Sequence, residues 1–264
     1  MVPDWPVPAN VRAVFTARAG GVSVPPWDSF NLGDHVGDTP ADVLENRQRL
    51  QQMIGAKAVF LQQVHGVDVL QLASGTPDGS RADACVTTEY GLACTIMVAD
   101  CLPVLLATRD GNAVAAAHAG WRGLAGPGLS AGVLESVHAA LLAAGAEPSG
   151  IIAWLGPCIG PTAFEVGAEV KAAFESSQPE SADCFKPQDH PQAGKYLADL
   201  AALARLRLKA LGVNTVYGND GTDAWCTVRN PSRFFAHRRE AGSVTNGGNG
   251  FGTTGRMAAC IWLS

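Results

Sequence analysis

The protein has 264 residues, of which 47% are hydrophobic and 16% charged, and its formal net charge is −5 at pH 7. This composition is typical of a compact globular protein, and the negative charge argues against a nucleic acid or an anionic membrane surface as the main partner. The sequence has no apolar run long enough to cross a bilayer, no recognisable signal peptide and no closely spaced pair of cysteines among its seven. We therefore expect a cytoplasmic protein whose thiols are mostly reduced.

The predicted elements alternate between strands and helices along the chain. The first part contains a strand at Val11–Ala17, a helix at Pro40–Ile54, and strands at Ala58–Gln62, Val67–Leu72, Asp83–Thr88 and Ala93–Val98. The second part contains a helix at Leu129–Ala144, a strand at Ile151–Leu155, helices at Val166–Ser176 and Tyr196–Leu211, a strand at Val213–Tyr217, a short helix or turn at Ser232–His237 and a final strand at Met257–Leu263. Because no repeat or linker divides the sequence, residues 1–264 are predicted to form one mixed α/β domain.

The middle of the sequence predicts a β-hairpin. Two apolar runs, Pro103–Thr108 and Ala113–Ala117, flank the turn sequence Arg-Asp-Gly-Asn at 109–112. Cys101 lies just before the first run and His118 just after the second. Because a hairpin brings its two outer ends together, these two side chains are expected to be neighbours.

A third candidate metal ligand, His65, lies at a predicted junction between two strands. Two histidines and one cysteine suit Zn²⁺ and leave its fourth position open, as in catalytic zinc sites. The spacing alone also allows other interpretations. The three residues could be unrelated core residues, a metal could serve only to stabilise a binding protein, or Cys101 and His118 could form a metal-free nucleophile pair.

Several charged residues near glycines are candidates for substrate binding. A single arginine is usually a surface charge, but two that converge near the metal would form an anion pocket. The arginines in such positions are Arg18, Arg122, Arg238, Arg239 and Arg256. Asp100, next to Cys101, is a candidate proton shuttle.

Seven motifs distributed over nearly the whole chain resemble the YfiH/laccase-domain family, long labelled polyphenol oxidase. They are Arg18-x-Gly-Gly-Val-Ser, Asn31-Leu-Gly-x-His35-x-Gly-Asp, Gln63-Val-His65, Ala99-Asp-Cys101, His118-Ala-Gly-Trp-Arg-Gly, Gly156-Pro-x-Ile-Gly-Pro and Thr254-Gly-Arg-Met-Ala. The resemblance implies a single α/β domain of the multilayer α+β type, with mixed sheets flanked by helices. It also implies a metal bound by His65, His118 and Cys101. It also implies zinc-dependent chemistry on purine nucleosides: phosphorolysis of adenosine, inosine and methylthioadenosine, and deamination of adenosine.

The resemblance and the residue chemistry together give a predicted site. The predicted catalytic residues are Cys101, Asp100 and His65. The residues predicted to bind nucleoside or phosphate are Arg18, Asn31, His35, Gln63, Arg122 and Arg256. The predicted cofactor is Zn²⁺, with Cu²⁺ as the alternative.

Two alternative activities are associated with the same family. One is copper-dependent polyphenol oxidation, but a laccase needs several copper ions, and the chain has six histidines and no His-x-His pair. Copper in place of zinc would leave at most a weak oxidase activity. The other is a Cys–His hydrolase that acts on peptidoglycan precursors.

The sequence departs from the family pattern in four places. Extra residues are expected at Gly126–Ser130, Asn219–Asp223 and Gly247–Gly252, and the usual Phe-Phe-Ser-Tyr-Arg-Arg is Phe-Phe-Ala-His-Arg-Arg at 234–239. Loops tolerate insertions at a small cost in free energy. We therefore expect these differences to affect the substrate range more than the fold.

Overall fold

The computed structural model describes residues 1–128, 131–188, 194–242 and 253–264, and these residues contain thirteen strands and six helices. The strands are β1 Val11–Phe15, β2 Lys57–Phe60, β3 Val69–Gln71, β4 Ala84–Thr87, β5 Leu92–Val98, β6 Leu102–Thr108, β7 Val114–Ala119, β8 Ile151–Leu155, β9 Glu165–Gly167, β10 Phe185–Pro187, β11 Lys195–Ala198, β12 Thr215–Gly218 and β13 Met257–Leu263. The helices are α1 Pro40–Ile54, α2 Trp121–Ala125, α3 Val133–Ala143, α4 Ala168–Glu175, α5 Leu200–Ala210 and α6 His237–Gly242. Short 3₁₀ turns occupy Pro148–Gly150, Pro179–Cys184 and Asp223–Trp225.

The strands form three sheets, of which two are mixed. The six-stranded sheet has the order β12-β8-β6-β7-β4-β3, the four-stranded sheet β1-β13-β5-β2, and the three-stranded sheet β10-β11-β9. The pairs β12–β8, β3–β4 and β2–β5 are parallel, and the other pairs are antiparallel. The fold is therefore a mixed α/β fold with helices on the sheets, as predicted.

The two larger sheets pack face to face, and each buries its other face against helices. Phe15, Ile96 and Trp154 belong to the core between the sheets. On the outer face of the six-stranded sheet, its side chains pack with those of α3, α4 and α5, whereas α1 covers the four-stranded sheet. Strands β5, β6, β7, β8 and β13 are consequently buried at every residue, which explains their continuous apolar sequences.

The central hairpin is confirmed. Strands β6 and β7 pair antiparallel, with Pro103 opposite His118 and Leu102 opposite Ala119. The turn between them contains Gly111 at a φ of 72°, a conformation that glycine adopts without strain. The hairpin therefore brings Cys101, immediately before β6, close to the end of β7 that carries His118.

Two predicted helices begin later than expected because short strands precede them. The helix predicted from Tyr196 begins at Leu200, since Lys195–Ala198 pairs with two other strands. The Asp199 side chain then caps α5 by accepting a hydrogen bond from the Ala202 amide at 2.9 Å. Val166 likewise pairs in β9, so α4 begins at Ala168.

The helix predicted at Leu129–Ala144 is found as α3, but it begins only at Val133, because Gly132 has an extended backbone. Residues 129–130 lie outside the described part. Within the described residues, no helix has both the length and the apolar character required to cross a membrane.

Candidate metal centre

Three separate segments bring His65, Cys101 and His118 together. His65 lies in the loop between β2 and β3, Cys101 in the turn between β5 and β6, and His118 on β7. One ligand atom from each lies within 4.8 Å of the other two, and Cys101 Sγ is 3.7 Å from His65 Nε2. Ligand atoms on one tetrahedral zinc ion lie roughly 3.5 Å apart at the usual zinc–nitrogen and zinc–sulfur bond lengths. The donor set and its spacing therefore fit a single metal ion.

Two opposing effects set the pKa of the Cys101 thiol. Burial raises this pKa, whereas the charge and hydrogen bond of His118, with a contribution from His65, lower it to about 6. For the His118 imidazole, burial lowers the pKa, but the Cys101 thiolate and the Asp83 carboxylate raise it to about 9. The arrangement favours the Cys101 thiolate, the form of cysteine that binds metals and acts as a nucleophile.

Asp83 contacts both histidines, although no sequence motif pointed to it. Its Oδ1 atom is 2.9 Å from His118 Nδ1 and accepts a hydrogen bond from the His65 amide at 2.8 Å. The available signal in the sequence is a single acidic residue in the apolar stretch Ala82–Val86. Such a residue inside a buried strand region normally has a specific partner.

The three ligands open onto a cavity of about 350 Å³. One part of its wall is apolar and contains Met97, Trp121, Ile159, Phe164 and Leu200. The basic part contains His35, His237, Arg238 and Arg256. A pocket of this size, with an apolar wall and a few polar groups, is suited to a small molecule.

Three of the six predicted binding residues line this cavity: His35, Gln63 and Arg256. Burial and the nearby charge of Arg256 lower the pKa of His35. The Gln63 amide donates to the Met97 carbonyl at 2.8 Å and accepts from the Met97 amide at 2.7 Å. Gln63 thus also joins the loop of His65 to strand β5.

Arg256 and Arg238 are the two arginines that converge at the cavity. Their guanidinium groups donate hydrogen bonds to backbone carbonyls, of Thr254 and Gly255 for Arg256 and of Glu165 for Arg238. Within the described residues, no carboxylate lies within salt-bridge distance of either guanidinium. Two arginines that line one cavity and have no carboxylate at salt-bridge distance among the described residues favour an anionic ligand. Asp100 and Glu240 act on Arg256 only from farther away.

The other three predicted binding residues do not line the cavity. Arg18 donates to Asp28 through both Nε and Nη2, at 2.7 and 2.8 Å, and Arg122 is exposed and packs over the Trp121 ring. Asn31 is completely buried, and its Oδ1 atom accepts a hydrogen bond from the Arg256 amide at 2.8 Å. Their direct contact with a substrate stays a prediction.

Asp100 lines the cavity beside Cys101 and is 8% exposed. Its Oδ1 atom accepts from the Thr227 hydroxyl at 2.5 Å and its Oδ2 atom from the Arg238 amide at 2.6 Å. Burial raises the pKa of this carboxyl, although the hydrogen bonds from Thr227 and Arg238 oppose the increase. Asp100 therefore connects the turn that carries Cys101 to the beginning of α6.

The segments that depart from the family pattern lie at different places relative to the cavity. His237 and Arg238 of the altered segment 234–239 line it, whereas Asn219–Asp223 does not. Asn219 is buried, and its Nδ2 atom donates to the Gly156 carbonyl at 3.0 Å. Part of Gly126–Ser130 and all of Gly247–Gly252 lie outside the described residues.

Comparison with known proteins gives matches over the full chain. Residues 12–264 match the family described as multi-copper polyphenol oxidoreductase laccase. Two relatives, each 46% identical, are named purine nucleoside phosphorylase; one is from Pseudomonas aeruginosa and the other, YfiH, from Escherichia coli. In both cases the match covers 100% of this chain and 98% of the relative.

A solved structure has the same fold. The crystal structure of a protein from Neisseria meningitidis is 44% identical and superposes with a TM-score of 0.86. The match covers 100% of this chain and 98% of that one. The fold and the overall length are therefore shared with this protein.

Proposed function

Because the chain belongs to the multi-copper polyphenol oxidoreductase laccase family and its relatives include proteins named purine nucleoside phosphorylase, we propose that it is a zinc-dependent purine nucleoside phosphorylase. The observation that carries this proposal is the combination of two features in one cavity. The candidate metal ligands His65, Cys101 and His118 line this cavity, and Arg238 and Arg256 line it as well. The first feature fits a metal and the second an anion such as phosphate.

Zinc is the proposed metal because of the donor set and the number of sites. Two imidazoles and one thiolate are typical zinc ligands, and they leave one position open. Within the described residues, this is the one group of histidine, cysteine and acidic side chains with ligand atoms close enough to hold a metal. A single three-ligand site cannot hold the several copper ions of a laccase. Copper-dependent oxidation is therefore the second choice, after the zinc-dependent reaction.

The cavity residues suggest how phosphorolysis would proceed. Arg256 and Arg238 would hold phosphate so that an oxygen atom attacks C1′ of the ribose while the bond from C1′ to the purine breaks. The apolar wall near Trp121 and Phe164 would hold the base. The imidazole groups of His35 and His237 are positioned to donate a hydrogen bond to the departing purine or to the ribose.

A metal at His65, Cys101 and His118 would supply Lewis-acid chemistry beside the bound nucleoside at neutral pH. Asp100 is the proposed residue for moving a proton, since its carboxyl group is buried next to Cys101 and reaches the same cavity. The same arrangement would support deamination of adenosine as a second reaction of the site.

The test combines metal content with turnover. We expect about one zinc per chain by mass spectrometry, because one three-ligand site is present, and release of adenine from adenosine only when phosphate is added. Inosine formed without phosphate would identify the deaminase reaction. If Cys101→Ala removed the zinc but left nucleoside turnover unchanged, the proposed mechanism would be wrong.

One observation favours a second candidate function. Cys101, His118 and Asp83 form a continuous chain of contacts, and the pKa of Cys101 is lowered, as expected for a Cys–His–acid nucleophile. A cysteine hydrolase would retain its activity after complete removal of metal by a chelator, and a thiol-alkylating reagent would abolish that activity. The zinc phosphorylase would lose activity with the chelator and regain it with added zinc.

A further inference from the structure

Asp83 is hydrogen-bonded to two of the three candidate metal ligands, His65 and His118. Its side chain is completely buried and lies between the loop that carries His65 and strand β7, which carries His118. We propose that Asp83 is a positioning residue that holds two of the three metal ligands in their binding conformation. This inference rests on the proposed metal site, but it concerns a residue that has no place in the ligand set or in the phosphorolysis mechanism.

The first part of the argument concerns the imidazole of His118. With Asp83 ionised, His118 Nδ1 carries the proton and donates to Asp83 Oδ1 at 2.9 Å. The Nε2 atom of His118 is then the ring nitrogen available to a metal, since the hydrogen bond at one nitrogen fixes the role of the other.

The backbone of His118 is held by the same residue. Its amide donates to the Asp83 carbonyl at 2.7 Å. Both the main chain and the ring of this ligand therefore depend on Asp83, which leaves the imidazole little freedom to rotate.

The second part concerns the loop that carries His65. His65 has a φ of 60°, which lies in the left-handed region that residues other than glycine seldom adopt. Three consecutive amides, of Val64, His65 and Gly66, donate to the Asp83 carboxylate at 3.1, 2.8 and 2.7 Å. A carboxylate that accepts three successive amides compensates the unfavourable backbone conformation and fixes the position of His65.

The geometry distinguishes this role from that of an ordinary buried acid. All four hydrogen bonds to the carboxylate come from His118 or from the residues around His65. Gly66 approaches closely enough that a Cβ at this position would lie 3.3 Å from Asp83 Oδ2. Loss of the carboxylate would therefore affect two metal ligands at once.

The experiment compares Asp83→Asn with Asp68→Asn. The asparagine side chain would have nearly the same shape as the carboxylate but only one acceptor oxygen, and its NH₂ group would face backbone amides or His118 Nδ1. Asp68 is an exposed carboxylate in the loop between β2 and β3, which also carries His65. Its backbone carbonyl still accepts from the Asp83 amide in the control variant. Zinc affinity is measured by competition with a chelator, and the ligand geometry by the absorption spectrum of the cobalt-substituted protein.

We expect Asp83→Asn to weaken zinc binding by about 10- to 100-fold and to change the cobalt spectrum, because supporting groups behind metal ligands typically have effects of this size. Asp68→Asn should match the parent protein in both measurements. An unchanged zinc affinity and cobalt spectrum in Asp83→Asn would overturn the inference.

A measurement on the parent protein covers the case in which Asp83→Asn does not fold. Nitrogen NMR of the zinc-loaded protein with labelled histidine should show His118 protonated at Nδ1 and bound through Nε2. The reverse assignment would contradict the role of Asp83. A parent protein that binds no zinc would overturn the proposed function itself, whereas zinc binding and phosphorolysis with the wrong His118 tautomer would overturn only this inference.

Discussion

At the scale of single residues, the metal centre depends on how closely the backbone approaches its ligands. Gly120, immediately after β7, has no room for a side chain: a Cβ there would lie 3.0 Å from both Cys101 Sγ and His65 Cδ2. The glycine in the His-Ala-Gly-Trp motif is therefore required by packing beneath the ligands rather than by an unusual backbone conformation.

We predict that Gly120→Ala weakens zinc binding by about 10-fold, because the added methyl group displaces Cys101 or His65 from the metal position. Gly75→Ala is the matched control, since a Cβ at Gly75 meets nothing within 4 Å. Zinc affinity of both variants is measured by chelator competition. Equal affinities for the two variants would show that the ligands adapt to the extra methyl group.

A second residue-scale prediction separates Arg256 from Arg122, two arginines that the sequence analysis predicts to bind nucleoside or phosphate. Arg256 lines the cavity, whereas Arg122 packs over an exposed face of Trp121. Arg256→Ala should raise the KM for phosphate by about 10- to 100-fold, as expected for loss of charge-assisted hydrogen bonds, and Arg122→Ala should have a much smaller effect. Steady-state kinetics with varied phosphate measure both, with Arg49→Ala on α1 as the control. If Arg122→Ala raised the KM for phosphate more than Arg256→Ala, phosphate would bind outside the described cavity.

At the scale of elements, Asp100 joins the turn before β6 to the beginning of α6. The turn supplies Cys101 to the cavity, and α6 supplies His237 and Arg238 to it. The Thr227 hydroxyl and the Arg238 amide bind the two oxygens of Asp100. These two hydrogen bonds of Asp100 therefore help to set the position of Cys101 relative to His237 and Arg238.

Thr227→Val tests this connection because valine keeps the shape but removes the hydroxyl. The variant should lose about 1–3 kcal/mol of the free energy of unfolding, the usual cost of leaving a buried polar group without its partner. It should also raise the KM for phosphate, since Arg238 is no longer held as firmly. Thr227→Ser, which retains the hydroxyl, is the control in urea unfolding and kinetics. Identical behaviour of the valine and serine variants would contradict the role assigned to the hydroxyl.

At the scale of the whole molecule, the six-stranded sheet takes part in two cores. Trp154 on β8 faces the four-stranded sheet, whereas Ala153 and Leu155 on the same strand face the helices. Neither core can lose its packing without exposing a face of this shared sheet. This organisation supports the prediction that residues 1–264 form one domain.

The corresponding prediction is a single cooperative unfolding transition. Urea unfolding followed by tryptophan fluorescence and by far-ultraviolet circular dichroism should give the same midpoint, because the buried Trp154 and the secondary structure belong to one cooperative unit. The metal-free protein is used, so that metal release does not add a second event. Two separate midpoints would show that the chain contains independently folding parts.

The sequence by itself determined the elements whose signals are local. Helix α1 has the predicted bounds Pro40–Ile54, and strands Ile151–Leu155 and Met257–Leu263 were also predicted at their observed ends. In each case the apolar pattern and the flanking glycine, proline or polar residues define the element without reference to distant parts of the chain. The proximity of Cys101 and His118 was predictable for the same reason, since it requires only a hairpin.

Only the tertiary structure decided which distant residues share the cavity. Arginines near glycines look alike in the sequence, and the packing of separate loops determines that Arg238 and Arg256 reach the cavity while Arg18 binds Asp28. The role of Asp83 likewise depends on the meeting of the His65 loop with β7. The physical reason is that hydrogen bonds between side chains and remote backbone groups leave no periodic signal, and they become definite only when the sheets and loops pack together.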